Sequence, residues 1–191
     1  MPDKSNGYEP IAENFTRART RTIGSRIVRE WAKGLPPGAS ILDIGCGCGI
    51  PISEALLQEG FTVYGVDASA TLVSKFRERF PNAPVECSSV EDSPFFSRTF
   101  DAVVAWGLIF ILQAGAQQRL IGKVARTLNR QGHFLFTSPK QVCTWMDSMT
   151  DLPSISLGHE VYEQELGAHG LVLVGNDEDE GENYYYFATK S

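Results

Sequence analysis

Ser40-Ile41-Leu42-Asp43-Ile44-Gly45-Cys46-Gly47-Cys48-Gly49-Ile50-Pro51 is the stretch that decides the fold. Residues 40–44 read as a buried strand, three alternate glycines follow at once, and Pro51 suits the first turn of a helix, where a missing N–H is tolerated. A strand, a glycine turn and a helix in that order make an edge that binds nucleotide-like ligands. The spacing excludes one version of that edge. G-x-G-x-x-G needs a third glycine, but the sixth position counted from Gly45 is Ile50, and from Gly47 it is Ile52. What stands is Asp43-x-Gly45-x-Gly47-x-Gly49, where a Cβ would block the backbone angles and hold a ligand away.

Outward from that stretch the chain alternates. Apolar positions at Ile11, Phe15, Ile23, Ile27, Val28 and Trp31, interrupted by Arg17, Arg19 and Arg21, predict two helices within residues 8–33. Gly34 to Gly38 stops them. After the loop come a helix over 51–59 closed by Gly60, a strand over 61–66 ending at Asp67, and a helix over 69–80 closed by Pro81. Then follow a short strand 85–87, a buried strand 100–105, a helix near 116–129 and a strand 133–137. Residues 138–158 read as irregular, with a short helix around Trp145. A helix 159–169 and strands 171–176 and 183–189 close the chain.

Strands separated by helices predict a doubly wound parallel sheet. The last two strands are joined by Asp177 to Glu182 alone, so they must pair antiparallel. The expectation is an α/β, Rossmann-like sheet of seven strands, mostly parallel with an antiparallel last strand. It forms one domain, with residues 1–37 as a helical lid and 38–191 as the core.

Composition narrows the partners. The 191 residues carry a net charge of -6, which argues against a nucleic-acid substrate. Residues 1–10 are polar, and no apolar run approaches a membrane span, so a cytoplasmic protein with no membrane partner is expected. The four cysteines, at 46, 48, 87 and 143, match neither a metal pair nor a disulfide framework and read as small packing residues. No metal site is expected. Oligomeric state is not legible.

The acidic residue two before the first glycine, the glycine spacing and the terminal hairpin together resemble the class I S-adenosylmethionine-dependent methyltransferases, over residues 38–190. The resemblance implies S-adenosylmethionine as cofactor and S-adenosylhomocysteine as product. It places Asp43, Gly45, Cys46, Gly47 and Gly49 at the loop, Asp67 and Ala68 at the ribose, and Ala105 and Trp106 at the end of the fourth strand. Asp67 also suits the N-terminus of the following helix. Cys87 to Phe95 resembles the adenine-binding turn, but Ser89 stands where many relatives have Asp. The contact to adenine is therefore open between Ser89, Glu91 and the backbone near Val90. Asp101, at the opposite end of its strand, reads as structural.

Ala105 to Phe110 lacks the Asn or Asp, Pro-Pro and aromatic of enzymes that methylate base amino groups. Ser138-Pro139-Lys140 offers no carboxylate cluster for magnesium. The expected acceptor is a small molecule, methylated on O, N or S by in-line displacement. Residues proposed to line its site are Trp106, His159, Glu182 and Tyr184, with the acidic turn 177–182 at the mouth. His133 and His169 read as structural. Two alternatives stay open: a regulatory S-adenosylmethionine-binding protein, and a nicotinamide-dependent oxidoreductase.

Overall fold

The computed structural model describes residues 4–191, so the first three residues of the expected lid lie outside the described residues. The core is a seven-stranded sheet in the order β3-β2-β1-β4-β5-β9-β8. The strands are β1 (Ser40–Ile44), β2 (Thr62–Asp67), β3 (Val85–Cys87), β4 (Phe100–Ala105), β5 (Leu128–Thr137), β8 (Leu171–Glu178) and β9 (Tyr184–Lys190). β1 pairs parallel with both β2 and β4, and β9 runs antiparallel between β5 and β8. The expected sheet, with its antiparallel last strand, is the one observed.

Alternation along β1 shows how the sheet is sealed. Ile41 joins Ile27, Val28, Ile52 and Leu56 from α2 (Ser25–Ala32) and α3 (Ile52–Gln58) on one face. Leu42 and Ile44 join Leu120, Ile121 and Val124 of α5 (Ala114–Thr127) and Tyr162 and Leu166 of α6 (His159–Ala168) on the other. At the low-number edge, α4 (Ala70–Arg79) buries Val73 and Phe76. α1 (Tyr8–Ala18) lies over the carboxyl ends of the strands and packs Ala12 and Phe15 against Leu72, Cys48 and Ile50.

Two local readings are corrected. Residues 138–158 contain no helix at Trp145; instead β6 (Val142–Met146) and β7 (Pro153–Leu157) form a separate antiparallel hairpin. Cys143 and Trp145 face inward while Val142, Thr144 and Met146 face water, a period-two pattern with β-branched residues. Asp147 Oδ1 closes the turn by accepting from the N–H groups of Met149 and Thr150 at 2.9 Å each. The second correction concerns β5. It starts at Leu128 and carries a register shift against β4, where Asn129 Nδ2 donates to Asp101 Oδ1 at 2.8 Å. Asp101 also accepts from Ser40 N–H and Oγ, which gives it a structural part at the far end of the sheet.

Candidate functional site

The carboxyl ends of β1, β2 and β4 open into a cavity of about 340 Å3, the place where an open parallel sheet binds its ligand. Gly45, Gly47, Asp67, Ala68, Ser89, Val90, Glu91 and Trp106 all line it, so eight of the residues expected there come together. Glycine supplies the left-handed turns of the loop, at φ +72° for Gly45 and +55° for Gly47. The N–H of Gly45 donates to Val66 O at 2.8 Å and so ties the loop to β2.

Asp67 is the joint of this wall. Its Oδ2 accepts from Gly47 N–H and its Oδ1 from Ser69 N–H, both at 2.8 Å. Burial pushes its pKa above the usual carboxylate value, and the two N–H donors work against that shift. Each oxygen keeps a lone pair for a ligand hydroxyl. Ser69 rather than Asp67 caps α4, accepting from Leu72 N–H at 3.1 Å. At the next turn the Ser89 hydroxyl is tied to Asp92 Oδ2 at 2.9 Å, and Lys123 Nζ holds the Val90 and Ser93 carbonyls at 2.7 and 2.6 Å.

The other expected residues stand behind the wall. Asp43 is buried and accepts from Ser53 Oγ at 2.5 Å, joining β1 to α3. Burial pushes its pKa up to about 7. Gly49 faces Phe76 and Phe80, Ala105 is in the core, and Cys46 and Cys48 are buried. Burial also raises the Cys46 thiol.

Sequence reasoning missed much of the roof. Tyr8 and Phe15, from the helical lid that the sequence predicts, and Phe110, an apolar face expected after the fourth strand, do line the cavity; the missed residues are Arg19 at the end of α1, Leu108, Ile111 and Leu112 after β4, and Asp147 from the hairpin. Tyr8 OH donates to Asp147 Oδ2 at 3.1 Å, and its pKa is raised by burial and by that carboxylate. The Arg19 guanidinium lies 4.7 Å from the Phe15 ring centroid and 4.3 Å from that of Trp106, with Nε donating to Ile50 O at 3.3 Å. A basic run was visible in sequence, but which of its arginines turns inward depends on where α1 ends.

A second cavity, of about 950 Å3, adjoins the first and shares Phe110, Asp147 and Asn183 with it. Glu182 and Tyr184 line this one. His159 lines neither cavity: α6 begins directly after β7, which lays the imidazole on the Tyr186 ring at 5.7 Å, with Nε2 3.9 Å from Glu163. The acidic turn is not uniformly solvated. Asp179 is buried; its Oδ2 accepts from Tyr185 OH at 2.6 Å, and Tyr185 OH accepts from Trp106 Nε1 at 2.6 Å. Asp179 Oδ1 takes the N–H groups of Gly181 and Asn183, at 2.9 and 3.0 Å. Among the described residues no group of three His, Cys, Asp or Glu side chains is placed to hold a metal, and no helix is long and apolar enough to cross a membrane.

Residues 41–132 match the family described as a methyltransferase domain. An uncharacterized methyltransferase of Synechocystis sp. is 30% identical over 112 residues, 59% of this chain and 52% of that protein. The chain thus spans about half the length of this curated relative. Among solved structures, magnesium protoporphyrin IX methyltransferase of Synechocystis, with bound S-adenosylmethionine, has a TM-score of 0.78 at 16% identity and covers 100% of this chain and 98% of that one. The 1,6-didemethyltoxoflavin-N1-methyltransferase of Burkholderia thailandensis, with its acceptor and S-adenosylhomocysteine bound, has a TM-score of 0.75 at 15% identity, covering 96% and 84%. Residues 41–132 thus resemble a methyltransferase domain, and the whole chain, with its glycine loop and inserted antiparallel strand, shares the fold of these solved methyltransferases.

Proposed function

We propose that the protein transfers a methyl group from S-adenosylmethionine to a small-molecule acceptor. The observation that carries this reading is convergence: the glycine loop, Asp67 and the turn 89–91, three separate stretches of sequence, line one cavity at the carboxyl edge of the sheet. Relatives that share the fold hold the same cofactor or its product in solved structures.

The residues fit the group. Asp67 can accept from both ribose hydroxyls, with charge assistance. Gly47 leaves room for the amino-acid portion, since a Cβ there would come no closer than 3.6 Å to Phe15, whereas one at Gly45 would press on Leu108 at 3.0 Å. Arg19 is the cation placed to meet its carboxylate, since its planar fork matches that group. Ser89, Val90 and Glu91 flank the adenine. The bound cofactor supplies a methyl group already activated on a sulfonium.

What the chain adds is alignment and exclusion of water, which together lower a displacement barrier by several kcal/mol. Trp106 is fixed by its bond to Tyr185, and Phe110 stands between the two cavities, so the apolar wall is rigid where acceptor and methyl group meet. α1 acts as the lid over the cavity, with α2 packed on the sheet as part of the core, and the setting is cytoplasmic. Calorimetry tests the reading. S-adenosylhomocysteine should bind, NADH should not, and Asp67→Ala should weaken the product at least about tenfold, the value of one charge-assisted pair. Unchanged affinity in Asp67→Ala would remove the ribose assignment.

A further inference from the structure

Asn183 sits where the two cavities meet, and its orientation is fixed by its neighbour. Its Nδ2 donates to Asp179 Oδ1 at 2.9 Å and to Oδ2 at 3.1 Å. A carboxylate only accepts, so the amide nitrogen must face Asp179 and the amide oxygen is the atom left for the cavities that Asn183 lines. Asp179 is itself locked by Tyr185 OH and by two backbone N–H groups, so this acceptor is held in place before any ligand arrives.

The second cavity has a matching character. Phe110 and Trp145 pack at 5.3 Å with their planes tilted by 46°, and Tyr184 adds another ring. Among the described residues three carboxylates, Asp147, Glu178 and Glu182, line it against one cation, Lys140. A charged cavity of this sign favours a cation, and aromatic faces favour both a flat ring and a cation.

Resting on the methyltransferase reading, we propose that the acceptor is an aromatic molecule bearing an amine, bound in the second cavity with an N–H donated to the Asn183 amide oxygen. Asp179 is the positioning residue behind it. The ring lies among Phe110, Trp145 and Tyr184, and a matched carboxylic acid is rejected by the acidic wall and by an oxygen that cannot donate.

The test is a titration of the protein saturated with S-adenosylhomocysteine, using tyramine and tryptamine against 4-hydroxyphenylacetate and indole-3-acetate. Both amines should bind at least about tenfold tighter than the acids, and Asn183→Leu should remove most of that preference, about what one hydrogen bond to a charged donor supplies. Trp145→Ala, which touches only the second cavity, should weaken the amines several-fold and leave S-adenosylhomocysteine affinity unchanged, which also shows that the variant is folded. Acids that bind as well as amines, or amines that fail to bind while S-adenosylhomocysteine binds, would overturn the acceptor class alone. Absence of S-adenosylhomocysteine binding would overturn the methyltransferase reading along with it.

Discussion

A methyl group placed at Gly49 would stand 2.4 Å from Phe80 Cε2 and 3.0 Å from Phe76 Cδ2, on a backbone whose φ is +83°. Gly47, two residues earlier, has φ of +55°, and a methyl group there would make only ordinary contacts, to Phe15 at 3.6 Å and Leu72 at 3.9 Å. The two glycines of one motif therefore fail differently. Gly49→Ala should cost about 2–4 kcal/mol of stability, from overpacking and left-handed strain together, read from urea unfolding. Gly47→Ala should cost only about 1–2 kcal/mol but weaken S-adenosylhomocysteine, because the new methyl enters the ligand's space. Sequence spacing identified all three glycines as a loop. It could not say which faced ligand and which faced α4, since that depends on where two phenylalanines from another helix arrive.

At the scale of elements, the roof is made by two pieces that touch each other. α1 and the β6–β7 hairpin meet through the Tyr8–Asp147 bond, and Phe15 presses α1 onto the loop below. Tyr8→Phe keeps the ring and deletes the bond. We expect stability lowered by no more than about 1 kcal/mol and a roughly fivefold faster release of S-adenosylhomocysteine in stopped-flow measurements, the size of a half-buried bond worth about 1 kcal/mol. Most of the sheet strands were legible as apolar runs between turn residues, although β3 is only Val85-Glu86-Cys87 and β5 begins at Leu128 rather than at His133. The hairpin was not: it buries one face only partly, and Val142 and Met146 point to solvent, so its alternation reads as an irregular apolar and polar mix. Asp179 was hidden for a related reason. It looks like one acid of a solvated run until β9 brings Tyr185 and Asn183 across the turn.

For the whole molecule, Asp43 couples folding to pH. Its carboxyl is buried between β1 and α3 with a pKa near 7, far above its value in an unfolded chain. Between those two values the folded chain keeps a proton that the unfolded chain has lost, so stability falls as pH rises through that window and levels off above it. Asp67 shifts in the same direction, again from burial. Asp43→Asn keeps an acceptor for Ser53 and removes the titration. The dependence of unfolding free energy on pH between 4.5 and 7 should become flatter in this variant, by up to about 1.4 kcal/mol per pH unit. An identical slope in wild type and variant would refute the assignment. The same burial that moves these carboxyls sorts the four thiols into two pairs. Cys87 is open to solvent and Cys143 half-covered, whereas Cys46 and Cys48 are enclosed within the glycine loop. Alkylating reagents should modify the first pair within minutes and reach the second only when the loop parts from β2, so that the lag of the second pair is a chemical clock for opening, slowed by whatever ligand the loop holds.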